Sequence, residues 1–182
     1  MPVLYVIRGS NGAGKTTLAK RFLPEEAHVL RFLNVDEIAR GLSPLKPELA
    51  GVKAGRILLT EVRQCPKKQE SFALESTLSG KGYVKLLCQA RAQNYKVVLV
   101  CFWLQTVENA IDRVKARTEL GGHDVPEHDI RRRFPRSIEN LLTRYLPLTD
   151  LWSVWDSLGQ DLKLIASSTS HSIQEVRSVL SP

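Results

Sequence analysis

The residues Gly9-Ser10-Asn11-Gly12-Ala13-Gly14-Lys15-Thr16 read G-x-x-x-x-G-K-T, the spacing of a phosphate-binding P-loop. Glycine lets the backbone wrap closely around phosphate oxygens, where a Cβ would clash or forbid the dihedral. Successive N–H groups and the positive end of the helix that follows then face the anion. On this reading Gly9, Ser10, Asn11, Gly12, Ala13, Gly14, Lys15, Thr16 and Thr17 cradle the phosphates of ATP. Lys15 reaches the β- and γ-phosphates, and the Thr16 hydroxyl sits on Mg²⁺.

Three further groups have the right types and places for chemistry. In open α/β sheets ligands bind beyond the carboxyl ends of the strands. The loop follows the first strand-like run, Asp36 follows the second and Glu75-Ser76-Thr77 follows the third, so all three are expected to line one crevice. Asp36 is a helix N-cap by type; beside a γ-phosphate it orients an acceptor hydroxyl and takes its proton. Glu75 has two readings, as a carboxylate serving the metal in the manner of a Walker-B acid or as an acceptor-binding group together with Thr77. Arg40 and Arg56 are surface cations by default, and one of them is a candidate contact for an anionic acceptor.

The third group is Arg113, Arg117, Arg131, Arg132, Arg133 and Arg136. Charged helix pairs are commonly solvated faces, and nucleic-acid binding is the next reading. Arg113 and Arg117 lie four apart on one face, and Gly121-Gly122 turns the next helix back over the same place. A hairpin over residues 113–137 therefore reads as a lid that brings guanidinium groups onto a γ-phosphate and excludes water. His123, in the turn, reads as a loop-stabilising residue.

The elements that must position these groups alternate strand and helix, the pattern of a mostly parallel sheet with helices on both faces. Strands are expected over 3–7, 28–33, 71–75, 96–102, 152–155 and 162–165. Helices are expected from 17 to a stop at Pro24, over 36–40, from Pro47 to about 64, over 81–93 with Asn94 as a left-handed stop, from a Thr106 cap to 117, and from Pro126 onward, with a polar tail from Ser167 that ends in a short helix or frays. No linker or repeat interrupts the 182 residues, so 1–182 reads as one domain. The net charge of +7 points to anionic partners. Cys65, Cys88 and Cys101 are odd in number without metal spacing, as for free thiols in a reducing compartment. The longest apolar run, Val97–Leu104, is too short for a bilayer, and the chain opens directly on the first strand. A cytoplasmic protein with no membrane partner is expected.

Taken together, the P-loop, Asn34-Val35-Asp36-Glu37-Ile38-Ala39, Phe72-Ala73-Leu74-Glu75-Ser76-Thr77-Leu78 and Arg117 with Gly121-Gly122-His123-Asp124-Val125-Pro126 resemble the zeta toxin family. The likeness runs in order over most of the chain. It implies a P-loop NTPase, kinase-like three-layer fold with a helical, arginine-bearing lid. It also implies transfer of the ATP γ-phosphate to a hydroxyl, in toxin members that of a UDP-N-acetylamino sugar, and an antitoxin-like protein partner. Carried over by position, Lys15 is the P-loop lysine and Asp36 the base. Glu75 and Thr77 lie at the acceptor end of a strand, and Arg117 and Arg133 on the lid. Two departures stand out: Ser76 where relatives carry a second Thr, and Asp156-Ser157-Leu158 where Asp-Asn-Ser is expected. The expected function is an ATP- and Mg²⁺-dependent small-molecule kinase. The alternative is a nucleotide-gated binding protein that uses the basic hairpin on nucleic acid or protein; the Asp36/Glu75 pair, which repels a phosphate backbone, makes nucleic acid the lesser choice.

Overall fold

A computed structural model describes residues 1–122, 124–159 and 161–180, with only the backbone of Pro66; His123 and the role expected of it lie outside these residues. Apolar, β-branched runs become strands buried on both faces. β1 (Val3–Gly9), β3 (Phe72–Ser76) and β4 (Lys96–Trp103) form the centre of a six-stranded sheet. β2 (Phe32–Leu33) is one edge, β5 (Leu151–Asp156) pairs with β4, and β6 (Lys163–Ser167) closes the other edge. The order is β2-β3-β1-β4-β5-β6, parallel throughout except that β6 runs antiparallel to β5.

The connections decide where ligands go. From β1 the chain steps outward to β2 through α1 (Lys15–Glu25), then returns across the sheet. The return uses α2 (Val35–Leu42) and α3 (Gly51–Lys68) before β3, and α4 (Val84–Ala92) before β4. Right-handed crossovers in opposite directions put α1 on one face and α3 and α4 on the other. Tyr5 of β1 meets Phe22 of α1 edge-on, with ring centroids 6.0 Å apart, so the odd residues of β1 face α1. The carboxyl ends of β1 and β3, whose helices leave on opposite faces, therefore open a crevice at the switch point. The P-loop and Glu75 stand at that crevice.

After β4 come α5 (Val107–Glu119) and α6 (Glu127–Asn140), which pack as a hairpin. Thr106 Oγ1 accepts from the Asn109 amide at 3.1 Å and so caps α5 as expected. α6 continues through a wide turn over Leu141–Tyr145 and a tight one over Leu146–Leu148. Ile130, Phe134, Leu141 and Tyr145 carry its buried face, and Ile138 packs half-buried beside them. α7 (Ile173–Leu180) anchors the tail through Val176 and Leu180, both fully buried.

Several expected boundaries move for local reasons. Pro24 does not stop α1: a proline removes one N–H, and the amides of Glu26 and Ala27 both close on the Phe22 carbonyl at 3.0 and 3.1 Å. The second strand shrinks to two residues because His28 sits at φ 52, which bends the chain before pairing begins. The helix expected from Pro47 begins as a 3-10 turn, Pro47–Ala50, before α3. Asn94 is left-handed, at φ 59. Cys65, Cys88 and Cys101 are free. Among the described residues no helix is long and apolar enough to cross a membrane.

One buried charge was not anticipated. Arg8, an even residue of β1, faces away from α1 and is 1% exposed. Its guanidinium donates to Ser137 Oγ of α6 at 2.8 Å and to Cys101 Sγ at 3.1 Å, while Nε has no partner. Ser137→Ala takes a hydrogen bond from a buried charge, a loss of about 1.5–3 kcal/mol. For a chain of this size the melting temperature should fall by about 3–12 °C. Thermal unfolding checks this, and an unchanged midpoint would mean that the bond carries no stability.

Candidate active site

The P-loop is held open by its glycines. Gly12 and Gly14 are left-handed, at φ 80 and 78, and the Ala13 amide donates to the Ser10 carbonyl at 3.2 Å. A Cβ on Gly12 would lie 2.9 Å from Arg113 Cβ and 3.1 Å from the Ala110 carbonyl, so only glycine lets the loop pack on α5. Gly14 caps α1, whose free N-terminal amides face the loop. Ser10 Oγ is buried and has no hydrogen-bond partner among the described residues, as suits a hydroxyl awaiting a ligand oxygen.

Lys15 is 8% exposed. Its Nζ donates to the Ser10 carbonyl at 2.9 Å and lies 3.7 Å from Glu75 Oε1. Burial pushes its pKa down, with Arg8 and Arg117 acting in the same sense; the carboxylates of Glu75 and Asp36 oppose the shift. A buried ammonium partly compensated by acids gains most when phosphate oxygens arrive.

Glu75, at the end of β3, accepts from the Thr16 hydroxyl at 2.7 Å and from Asn34 Nδ2 at 2.8 Å. Asn34, 4% exposed, was not singled out from the sequence. Its Oδ1 accepts the Asp36 and Glu37 amides at 2.8 and 3.3 Å. Asn34 is thus the N-cap of α2, the role read for Asp36 by type, and the Asp36 side chain is left to line the cleft. An Asn two and three residues ahead of an Asp-Glu pair at a helix start was the available signal.

The segment after β3 is strained in place. Leu78 is left-handed at φ 54. Its amide donates to Ser76 Oγ at 3.1 Å, and Asn140 Nδ2 of α6 holds the carbonyls of Leu78 and Ser79 at 3.2 and 3.0 Å. This clamp sets Thr77, whose hydroxyl lies 3.1 Å from Ser79 Oγ, into the wall of the crevice.

Two cavities meet here. The larger, about 600 Å³, runs between the P-loop and α5 and is walled by Gly12, Gly14, Thr16, Thr17, Arg113 and Arg117. The smaller, about 160 Å³, lies toward Ser76, Thr77, Tyr83, Val125 and Arg133. Asn11, Lys15, Asn34, Asp36 and Glu75 wall both, so a group held in one would meet a group held in the other at these side chains. Arg40 lines the larger cavity and pairs with Glu37 at 3.2 Å. Arg56 is exposed on α3 and walls neither cavity.

The hairpin divides its arginines. Arg117, near the end of α5, faces the larger cavity with its backbone closed by the glycine turn, the Gly122 amide donating to the Arg117 carbonyl at 2.9 Å. Arg131 pairs with Glu108 and Glu127, both at 2.9 Å; Arg132 and Arg133 pair with Asp129, the latter at 3.1 Å. The Arg132 hydrogen bond, first among several cations, lowers the Asp129 pKa, and Arg131 does the same to Glu108 and Glu127. Much of the charge that marked this segment is therefore offset on the spot.

The Thr16 hydroxyl and the Glu75 carboxylate, 2.7 Å apart, are hard oxygen donors. One hydroxyl and one carboxylate beside a phosphate site suit Mg²⁺, which keeps water and phosphate oxygens as its other ligands. Among the described residues no group of three or more His, Cys, Asp and Glu could form a closed metal cage.

An uncharacterised protein of Haemophilus influenzae (strain Rd) is 32% identical over 126 residues, 69% of this chain and 88% of that one. Among solved structures, the PezAT toxin-antitoxin system of Streptococcus pneumoniae superposes with a TM-score of 0.70 at 15% identity, over 94% of this chain and 74% of that one. An AvrRxo1-ORF1:ORF2 complex with ATP gives a TM-score of 0.73 at 17% identity; it matches 99% of this chain, which spans 63% of the other. A gluconokinase from Sinorhizobium meliloti 1021 gives 0.51 at 14% identity, over 98% and 89%. These likenesses show the α/β P-loop fold, and the resemblance to the zeta toxins holds at that level. A family model described as AAA_33, AAA domain, matches residues 4–135, from β1 through Lys15, Asp36, Glu75 and Arg117 to Arg133, and the chain belongs to that family.

Proposed function

We propose that residues 1–182 form one kinase unit that transfers the γ-phosphate of ATP, with Mg²⁺, to a hydroxyl of a small molecule. The observation that carries this reading is the shared wall: Lys15, Asp36 and Glu75 line both cavities. ATP occupies the larger, with its phosphates on Gly9–Thr17. The acceptor occupies the smaller, held by Thr77 and Arg133; Arg40, which lines the larger cavity, is left as a candidate contact for an anionic part of the acceptor that extends there. Asp36 orients the acceptor hydroxyl and takes its proton as the oxygen attacks phosphorus. Lys15 and Arg117 stabilise the charge on the transferring group. Thr16 and Glu75 would hold Mg²⁺, which neutralises charge on the β- and γ-phosphate oxygens when bound. Glu75 would serve the metal with Thr16, and as a wall of the smaller cavity it is also a candidate contact for the acceptor.

The fold shared with a gluconokinase supports a hydroxyl acceptor, and the zeta-toxin resemblance points to a UDP-N-acetylamino sugar. The PezAT and AvrRxo1 structures are assemblies of two proteins, which supports an antitoxin-like partner for this chain as well. The free cysteines fit a reducing cytoplasm. The rival reading, a nucleic-acid binder using the basic hairpin, loses ground because Arg131, Arg132 and Arg133 are already paired with Glu108, Glu127 and Asp129.

The test is an ADP-release screen over nucleotide sugars, free sugars and hydroxylated metabolites, with the product identified by mass. Asp36→Asn should lower turnover on the active acceptor by about 10²–10⁴ while ATP affinity is retained. Full turnover in that variant removes the base assignment.

A further inference from the structure

If the hairpin is internally compensated, the surplus of positive charge must lie elsewhere. One concentration of it is concave. α3 and α4 run side by side, and between them lies a groove of about 320 Å³. Its polar wall is Arg63 and Lys67 from α3, Lys85, Gln89 and Gln93 from the α4 side, and Tyr83; among the described residues no carboxylate lines it. Arg63, Lys67 and Lys85 are exposed, and none forms an ion pair with a described residue. Arg63 and Lys67, four residues apart, share a helix face, and Lys85 comes from the opposite wall.

We propose that this groove binds a phosphate ester. Scattered surface lysines would carry no such meaning. Here three uncompensated cations and two amides converge on one concavity, and a guanidinium fork with ammonium groups is the donor set that phosphate oxygens match. The groove also adjoins the chemistry: Tyr83 walls both it and the 160 Å³ cavity that contains Asp36. The phosphate has two sources. It is the far end of an acceptor whose hydroxyl lies at Asp36, or it belongs to a separate ligand. The groove stands without the kinase reading; only the first source rests on it.

The probe is inorganic pyrophosphate, titrated calorimetrically into the full chain already saturated with AMP-PNP and Mg²⁺, so that the P-loop is filled. One saturable site is expected. Arg63→Gln/Lys67→Gln/Lys85→Gln should weaken it about tenfold or more, with AMP-PNP affinity unchanged. Lys85→Gln alone should give a smaller loss in the same direction, which guards against a folding defect in the triple variant. Turnover then separates the sources. A raised KM for a phosphorylated acceptor, but not for its dephosphorylated analogue, assigns the acceptor's tail. Lost pyrophosphate binding with unchanged KM assigns a separate ligand, and both outcomes uphold the groove. A kinase that turns over normally while pyrophosphate fails to bind, or binds the triple variant equally well, overturns it. So does tighter binding of single-stranded oligonucleotide that grows with length and collapses with salt, the mark of a polyanion surface.

Discussion

Lys15→Ala is expected to abolish both nucleotide binding and turnover, with kcat/KM lower by about 10³–10⁵. The ammonium is buried between the Ser10 carbonyl at 2.9 Å and Glu75 at 3.7 Å, so it is already oriented before any phosphate arrives. Preorganised charge in a desolvated site acts on the transferring group without further reorganisation. Removing it also leaves Glu75, 9% exposed, without its cation, and the anionic wall then repels the phosphates it should face. The pH dependence carries a sign. Because burial lowers the Lys15 pKa, the free protein loses this positive charge at a lower pH than an ordinary lysine would. ATP affinity should therefore weaken on the alkaline side earlier than for an exposed lysine. Titration of a fluorescent ATP analogue against pH, with ADP release in parallel, reads both effects. ATP affinity in the variant within about threefold of wild type would detach Lys15 from the phosphates.

How much of this could be read along the chain depends on how far apart the interacting residues are. The P-loop was legible because its conformation is dictated locally: Gly12 and Gly14 must be left-handed, and Lys15 follows at once. The mostly parallel sheet with helices on both faces was legible too, since strand-like runs alternate with amphipathic helices along the chain. Asn34 was not, because its decisive bond is to Glu75, 41 residues away. Arg8 reads as a strand residue until it meets Ser137, 129 residues on. Spacing exposed the arginines of the hairpin but not their compensation, as Arg131 finds Glu108 across the helix pair, 23 residues back. Glu75 had two sequence readings. The structure puts one of its oxygens against Thr16 and makes the residue a wall of the smaller cavity, so both proposed roles remain open to the same carboxylate.

Arg117→Ala should separate chemistry from binding. Arg117 faces the larger cavity from α5, close enough to Lys15 to depress its pKa, and so lies on the side where the γ-phosphate would be held. A guanidinium in that position contributes about 10³–10⁵ in kcat where it acts on the transition state. Its loss should lower kcat in that range while ATP affinity, held by the P-loop and Lys15, changes by less than about threefold. Arg117→Lys should recover only part of the loss, because a point charge lacks the fork that spans two phosphate oxygens. The glycine turn supplies an independent check that keeps the arginine in the sequence but moves it. A Cβ on Gly122 would lie 2.8 Å from the Arg117 carbonyl and press against its Cγ, so Gly122→Ala must push the arginine off its seat. It should lower kcat in the same direction, again with ATP binding retained, as expected when a displacement of about 1 Å disturbs a reacting geometry. Normal kcat in both variants would remove Arg117 from the phosphoryl-transfer step and leave the hairpin a cover rather than a participant.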